Sequence, residues 1–148
     1  MIEEKLSSLG ICLPIPPDPA GSYVPVVVSG NLAFVAGQIP AEGNNVKFRG
    51  KVMSIETGQD AARLCTINAL AQLRSSIGTL DRVKRVIKLT GFVNCNPSFA
   101  DHAKVINGAS DLLMQLFGEK GKHARVAVGV SSLPLDSAVE VDLIIELD

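Results

Sequence analysis

The chain has 148 residues, 47% of them hydrophobic and 20% charged, with a formal net charge of -1. That length fits a single domain with enough apolar material for a core, and the balanced charge argues against a nucleic-acid partner held on a broad basic surface. No apolar run approaches the roughly 20 residues that span a bilayer, and the opening MIEEKLSSLG is acidic where a secretion signal is basic and then apolar.

Residues 2–9 can form a short helix. The following LPIPPDPAGSY is rich in proline, which fixes φ and continues neither helix nor central strand. It reads as an extended arm, so residues 1–18 are assigned to the arm and 19–148 to one domain. YVPVVVSGNLAFVAGQIP reads as a hairpin of two strands turning at Ser29-Gly30-Asn31. A polar, Gly/Asn-rich loop follows, with room for a short strand at Val46–Phe48. A helix is expected from about Thr57 to Ser76, with Thr57 as its cap. Ala61, Leu64, Ile67, Ala71 and Leu73 form its apolar stripe and Gly78 ends it. RVKRVIKLTGFVN is a strand rich in β-branched residues. Asn96-Pro97 then fits the start of a second helix, Asn as cap and Pro at its first position, running through Leu112, Leu113, Leu116 and Phe117 to Gly118. Two strands close the chain.

The order β-β-α-β-α-β-β predicts an α+β domain, a single sheet with both long helices on one face. Dinucleotide and Walker A phosphate motifs are absent. Of the three cysteines, Cys12, Cys65 and Cys95, none forms a CxxC pair, and an odd number is a poor disulfide framework. Cys65 belongs on the apolar helix face, as a buried thiol. His102 and His123 have no ligand-spaced neighbours in sequence, so neither a metal nor a catalytic histidine pair is expected. The expectation is a reduced, cytoplasmic protein with no cofactor and no membrane attachment.

Side chains alternate across a strand. In the last strand Val139, Val141, Leu143, Ile145 and Leu147 share one face, while Glu140, Asp142, Ile144 and Glu146 share the other. In the strand before it Val126, Val128 and Val130 oppose Arg125, Ala127 and Gly129. With the all-aliphatic faces set toward the helices, Arg125 and Glu140 both fall on the other face. That face also carries apolar residues, and other copies of the chain are the economical cover for it. Arg125 then either pairs with Glu140 or Asp142 as a structural ion pair, or grips a substrate carboxylate with its planar fork.

GSY at Gly21–Tyr23, FVAGQIP at Phe34–Pro40, Asn107, AR at Ala124–Arg125, LP at Leu133–Pro134 and VEV at Val139–Val141 together resemble the YjgF/RidA family, over about residues 19–147. The resemblance implies a chorismate-mutase-like fold assembled as a homotrimer with clefts between subunits. It also implies hydrolysis of reactive enamines and imines, such as 2-aminoacrylate-like 2-imino acids, to 2-keto acids and ammonia. Carried onto this chain, Arg125 binds the substrate carboxylate and Glu140 positions or activates water. Tyr23 and Gly37 line the cleft, and Asn107 reaches into it from the neighbouring subunit. Ala36 stands where the family usually has Ser, and Ala127 where it usually has Cys; both leave the cleft more apolar. Residue by residue, blander readings remain: Tyr23 as a half-buried aromatic, Gly37 as a β-bulge, Asn107 as an exposed helix position and Glu140 as a solvated strand residue. The alternative functions are a non-catalytic trimer that binds small carboxylates and, third, an endoribonuclease or translation inhibitor. One Tyr and no Trp for base stacking weaken the last.

Overall fold

The computed structural model describes residues 1–17 and 21–148. Helix α1 is Ile2–Ser8, and Val26–Ser29 and Leu32–Gln38 are strands β1 and β2. A small separate hairpin follows, β3 (Ala41–Glu42) and β4 (Asn45–Val46), then helix α2 (Ile55–Ile77) and strand β5 (Val83–Asn94). Helix α3 (His102–Phe117) leads to β6 (Ala124–Val130) and β7 (Val139–Leu147). The main sheet has the order β1-β2-β7-β5-β6, so the last strand is inserted into its middle. β5 and β6 are parallel and are joined through α3; every other neighbouring pair in that sheet is antiparallel. This is the α+β architecture expected from the element order, a mixed sheet with α2 and α3 on one face. No helix among the described residues is long and apolar enough to cross a membrane.

The boundary expected at residues 18 and 19 lies outside the described residues. On its N-terminal side, Leu6 and Leu13 are buried in the same core as the sheet, and Arg74 of α2 holds Glu3 at 2.7 Å. The β1–β2 turn is the one expected: Ser29 pairs with Leu32, and Gly30 takes the positive φ of 61° that a tight hairpin needs.

Both long helices start elsewhere than their sequence signals indicate. Ser54 caps α2, its hydroxyl accepting from the Thr57 amide, so Thr57 sits inside the first turn. α3 starts at His102, five residues beyond Pro97. Asn96-Pro97 instead opens a turn closed by the Phe99 amide on the Asn96 carbonyl at 3.0 Å. Asn at the first and Pro at the second position suit a tight turn as well as a helix start. The short strand expected at Val46–Phe48 is the outgoing arm of the small hairpin, Asn45–Val46.

The buried stripe of α2 also differs. Ala61, Ala62, Cys65, Ala69, Leu70 and Leu73 are buried, while Leu64 and Ile67 turn halfway out toward the arm at Ile11 and Pro14. Small inward residues let the helix lie close to the sheet, and one methyl more is felt in such packing. Cys65 is wholly buried; burial first, then the nearby charge of Glu140, pushes its thiol well up from its ordinary range.

The largest correction concerns the faces. β7 behaves as expected: Val139, Val141, Leu143, Ile145 and Leu147 are buried under the helices. β6 is reversed. Its Val126 and Val128 are 40% and 39% exposed, and they stand in register with Thr90 and Phe92 on the face away from the helices. Arg125, Ala127 and Gly129 stand in register with Leu89, Gly91 and Val93 on the helix face. The cause is the close approach of α3: a Cβ at Gly129 would strike His102, and one at Gly91 would strike Ile106. Valine does not fit there, so β6 turns its small residues inward. The open face then carries Val27, Phe34, Ile144, Phe92, Val126 and Val128, with Val27 50% and Phe34 41% exposed.

Candidate functional site: two half-sites on opposite faces

Glu140 lies at the start of β7, on the open face, in register with Phe92 of β5. Across from it, β2 bulges: its register with β7 shifts between Val35 and Gln38, which places Ala36 and Gly37 in the bulge. The Ala36 amide is held by the Pro25 carbonyl at 2.8 Å, and the Gln38 side chain returns to the Ala36 carbonyl at 3.1 Å. The Glu140 carboxylate occupies the space where a Cβ at residue 37 would stand. Gly37 is therefore both a bulge residue and the residue whose missing side chain makes room for Glu140.

A cavity of about 350 Å³ opens beside this pair. Tyr23, Gly37, Gln38, Pro134 and Glu140 line it, and Pro14–Pro17 of the arm form a further wall. Asn68 of α2 supports its floor, donating to the carbonyls of Ile39 at 3.0 Å and Ala41 at 2.8 Å. Tyr23 is 62% exposed. Partial burial first, and then the charge of Asp142, raise the Glu140 carboxyl above its ordinary range. Asp142 is itself raised by burial, with a Thr90 hydrogen bond and the Lys88 charge acting the other way.

Arg125 belongs to a different place. On the helix face of β6 it meets α3, where its Nη1 donates to Asn107 Oδ1 at 2.7 Å and to Ser110 Oγ at 3.1 Å. Both protons of that nitrogen are thereby used. Nε and Nη2 have no hydrogen-bond partner among the described residues, which leaves a two-toothed edge suited to a carboxylate. Arg125 makes no ion pair there with Glu140 or Asp142, so the structural pairing open at the level of sequence is not what the fold builds. Asn107 is not a free helix position; it is one turn from Ser110 on the same face of α3. Ala127 follows Arg125 on the same side of β6 and packs against the core.

The structure thus gathers Tyr23, Ala36, Gly37 and Glu140 at one place and Asn107, Arg125 and Ala127 at another. In the chain Arg125 and Glu140 are separated by β5 and point from opposite faces, so the single shared face inferred from parity is not found. Sequence reasoning also missed Ser110 and the histidine partners. His123 Nε2 is 2.9 Å from Ser110 Oγ, and His102 Nε2 is 3.5 Å from Cys95 Sγ. The spacing of Asn107 and Ser110 was a usable signal; the partners of the histidines depend on how β5, β6 and α3 meet.

The chain that builds this sheet and these two sites belongs to the YjgF/RidA family. The family described as "YjgF/chorismate mutase-like, putative endoribonuclease" matches residues 3–147. The chain is 45% identical to Protein TCP17 of Trypanosoma cruzi, over 99% of this chain and 94% of that one. It superposes on protein Atu1372 of Agrobacterium tumefaciens, whose function is unknown, with a TM-score of 0.92 and 45% identity, covering 99% of this chain and 92% of the other. It is 29% identical to a 2-iminobutanoate/2-iminopropanoate deaminase of Dermatophagoides farinae, over 93% of this chain and 95% of that one.

Proposed function

We propose that this protein hydrolyses reactive 2-imino acids, and their enamine tautomers, to 2-keto acids and ammonia. On this reading the site is completed between two copies of the chain in a cytoplasmic homotrimer, with no cofactor. The observation that carries it is the split itself. Among the described residues, Arg125 has an uncommitted two-toothed edge but no acidic group before it, and Glu140 has a cavity and a raised carboxyl but no cation to hold a substrate. The exposed apolar open face supplies the surface through which copies would meet. The deaminase among the relatives supports the chemistry.

In this mechanism the Nε and Nη2 edge of Arg125 fixes the substrate carboxylate. Glu140 from another subunit takes a proton from water as its oxygen adds to the imine carbon. Glu140 passes that proton to the imine nitrogen, so that C=N becomes a carbinolamine; it then carries the carbinolamine hydroxyl proton to nitrogen as the C–N bond breaks, leaving C=O and ammonia. A raised carboxyl suits both steps, because it exchanges its proton nearer to neutrality. Alanine at positions 36 and 127, where hydroxyl and thiol are usual, favours a second reading: a trimer that binds the keto acid without turnover.

The test is hybrid complementation with freshly generated imino acids from several amino acids. Arg125→Ala and Glu140→Gln proteins should each lose most activity. Unfolded together and refolded as mixed oligomers, they should regain part of it, because some clefts then receive Arg125 from one chain and Glu140 from the other. Mixed oligomers as inactive as their parents would sink the shared cleft. Keto acid binding without turnover of any imine would select the second reading.

A further inference from the structure

The helix-face half-site extends beyond the residues that would meet substrate. Arg125 Nη1 donates to Ser110 Oγ at 3.1 Å, Ser110 Oγ is 2.9 Å from His123 Nε2, and His123 Nδ1 is 2.6 Å from the Gly121 carbonyl. The donor at each contact follows from the groups themselves. A guanidinium only donates and a carbonyl only accepts. The Gly121 carbonyl therefore requires the proton on His123 Nδ1, and in that tautomer Nε2 is the acceptor. Ser110 accepts from Arg125, so its own proton goes to Nε2. Every hydrogen bond in the row points the same way, from arginine through serine and histidine to the backbone, and such rows polarise one another.

The far end of the row is fixed. Gly121 is buried at the end of the 3-10 turn after α3, and a Cβ there would strike the Leu113 carbonyl, so backbone packs on backbone. The near end is fixed a second time by Asn107, whose Oδ1 accepts the other Nη1 proton at 2.7 Å. A guanidinium held through both protons of one nitrogen cannot rotate about its long stem, and its free edge keeps one orientation.

We propose that Ser110 and His123 are positioning residues that set the orientation of the Arg125 guanidinium for binding a carboxylate. They never touch substrate. They reduce the freedom that a carboxylate would otherwise have to remove on binding, so they act on affinity. This rests on the carboxylate-binding role given to Arg125 above.

The experiment compares Ser110→Ala, Ser110→Thr, His123→Ala and Arg125→Ala in the full chain. It measures KM and kcat for a 2-imino acid and, separately, Kd for the matching 2-keto acid by calorimetry. Ser110→Ala should raise KM and Kd about three- to tenfold, the worth of one hydrogen bond, with kcat within about twofold. His123→Ala should move them the same way by less, and Ser110→Thr, which keeps the hydroxyl, should restore them. Nitrogen shifts of the His123 ring should place its proton on Nδ1, a readout that survives if a variant fails to fold. Unchanged KM and Kd in Ser110→Ala and His123→Ala, with Arg125→Ala impaired, would overturn the positioning role, as would a proton on Nε2. Arg125→Ala with unaltered Kd would overturn the carboxylate reading and this one with it. Keto acid binding that follows the expected order in a protein without imine turnover would remove only the catalytic reading and support the positioning role.

Discussion

β6 and β7 carry the two residues of greatest chemical interest, and they obey opposite rules. In β7 the aliphatic parity is buried and the charged parity is open, as the alternation implies. In β6 the aliphatic Val126 and Val128 are open, while Arg125, Ala127 and Gly129 lie under α3. β7 is a central strand packed under α2, whose small inward residues leave room for large ones on the inner face of the strand. β6 is an edge strand approached so closely by α3 that a Cβ at Gly129 has no room. Hydrophobicity assigns a strand's faces only when the helix above leaves space for branched side chains. Where it does not, small residues mark the inside.

The contrast can be broken at several points. Arg125→Ala and Glu140→Gln should each lower kcat/KM by about a hundredfold or more, the scale of a charge-assisted hydrogen bond or a general base; near-normal kcat/KM in either variant would remove its residue from the chemistry. Leu143→Ala on the inner face of β7 should lower unfolding free energy by about 2–5 kcal/mol in denaturant titrations, through the cavity it leaves. Val128→Lys on the open face of β6 should change stability little but lower the oligomeric mass in sedimentation. A large loss of stability without a mass change would mean that this face is not a contact between copies.

Finer tests concern Glu140. Gly37→Ala forces only the end of a flexible carboxylate to move. Melting temperature should barely shift, while kcat falls by roughly tenfold to a hundredfold, as expected when a reacting group is displaced by about an ångström. Burial and Asp142 raise the Glu140 carboxyl in the folded state. The folded protein therefore holds that proton more tightly than the unfolded chain. The associated stabilisation is complete below the unfolded carboxyl range and is lost as pH rises through the folded-state value. Glu140→Gln, which imitates the protonated form, should melt higher than the parent at neutral pH, and the gap should close toward about pH 4.

Much of the fold was legible because its signals are local. Pattern changes located the long elements, Gly30 and Gly78 marked a turn and a helix end, and β7 declared its faces through unbroken alternation. The errors arose where one signal serves two structures. Asn96-Pro97 fits a turn or a helix start, and the chain makes the turn, closed by the Phe99 amide on the Asn96 carbonyl.

The candidate site divides along the same line. By itself the sequence determined the element order, the α+β class and the residue types: an arginine and a glutamate in apolar strands, a glycine in FVAGQIP, an asparagine one helical turn from a serine. Only tertiary structure decided that Glu140 fills the space left by Gly37, that Ser110 and His123 stand behind Arg125, and that Arg125 and Glu140 lie on opposite faces of the sheet. Alternation along a strand is a property of the backbone. Which side is the inside depends on how closely the helix packed over that strand approaches.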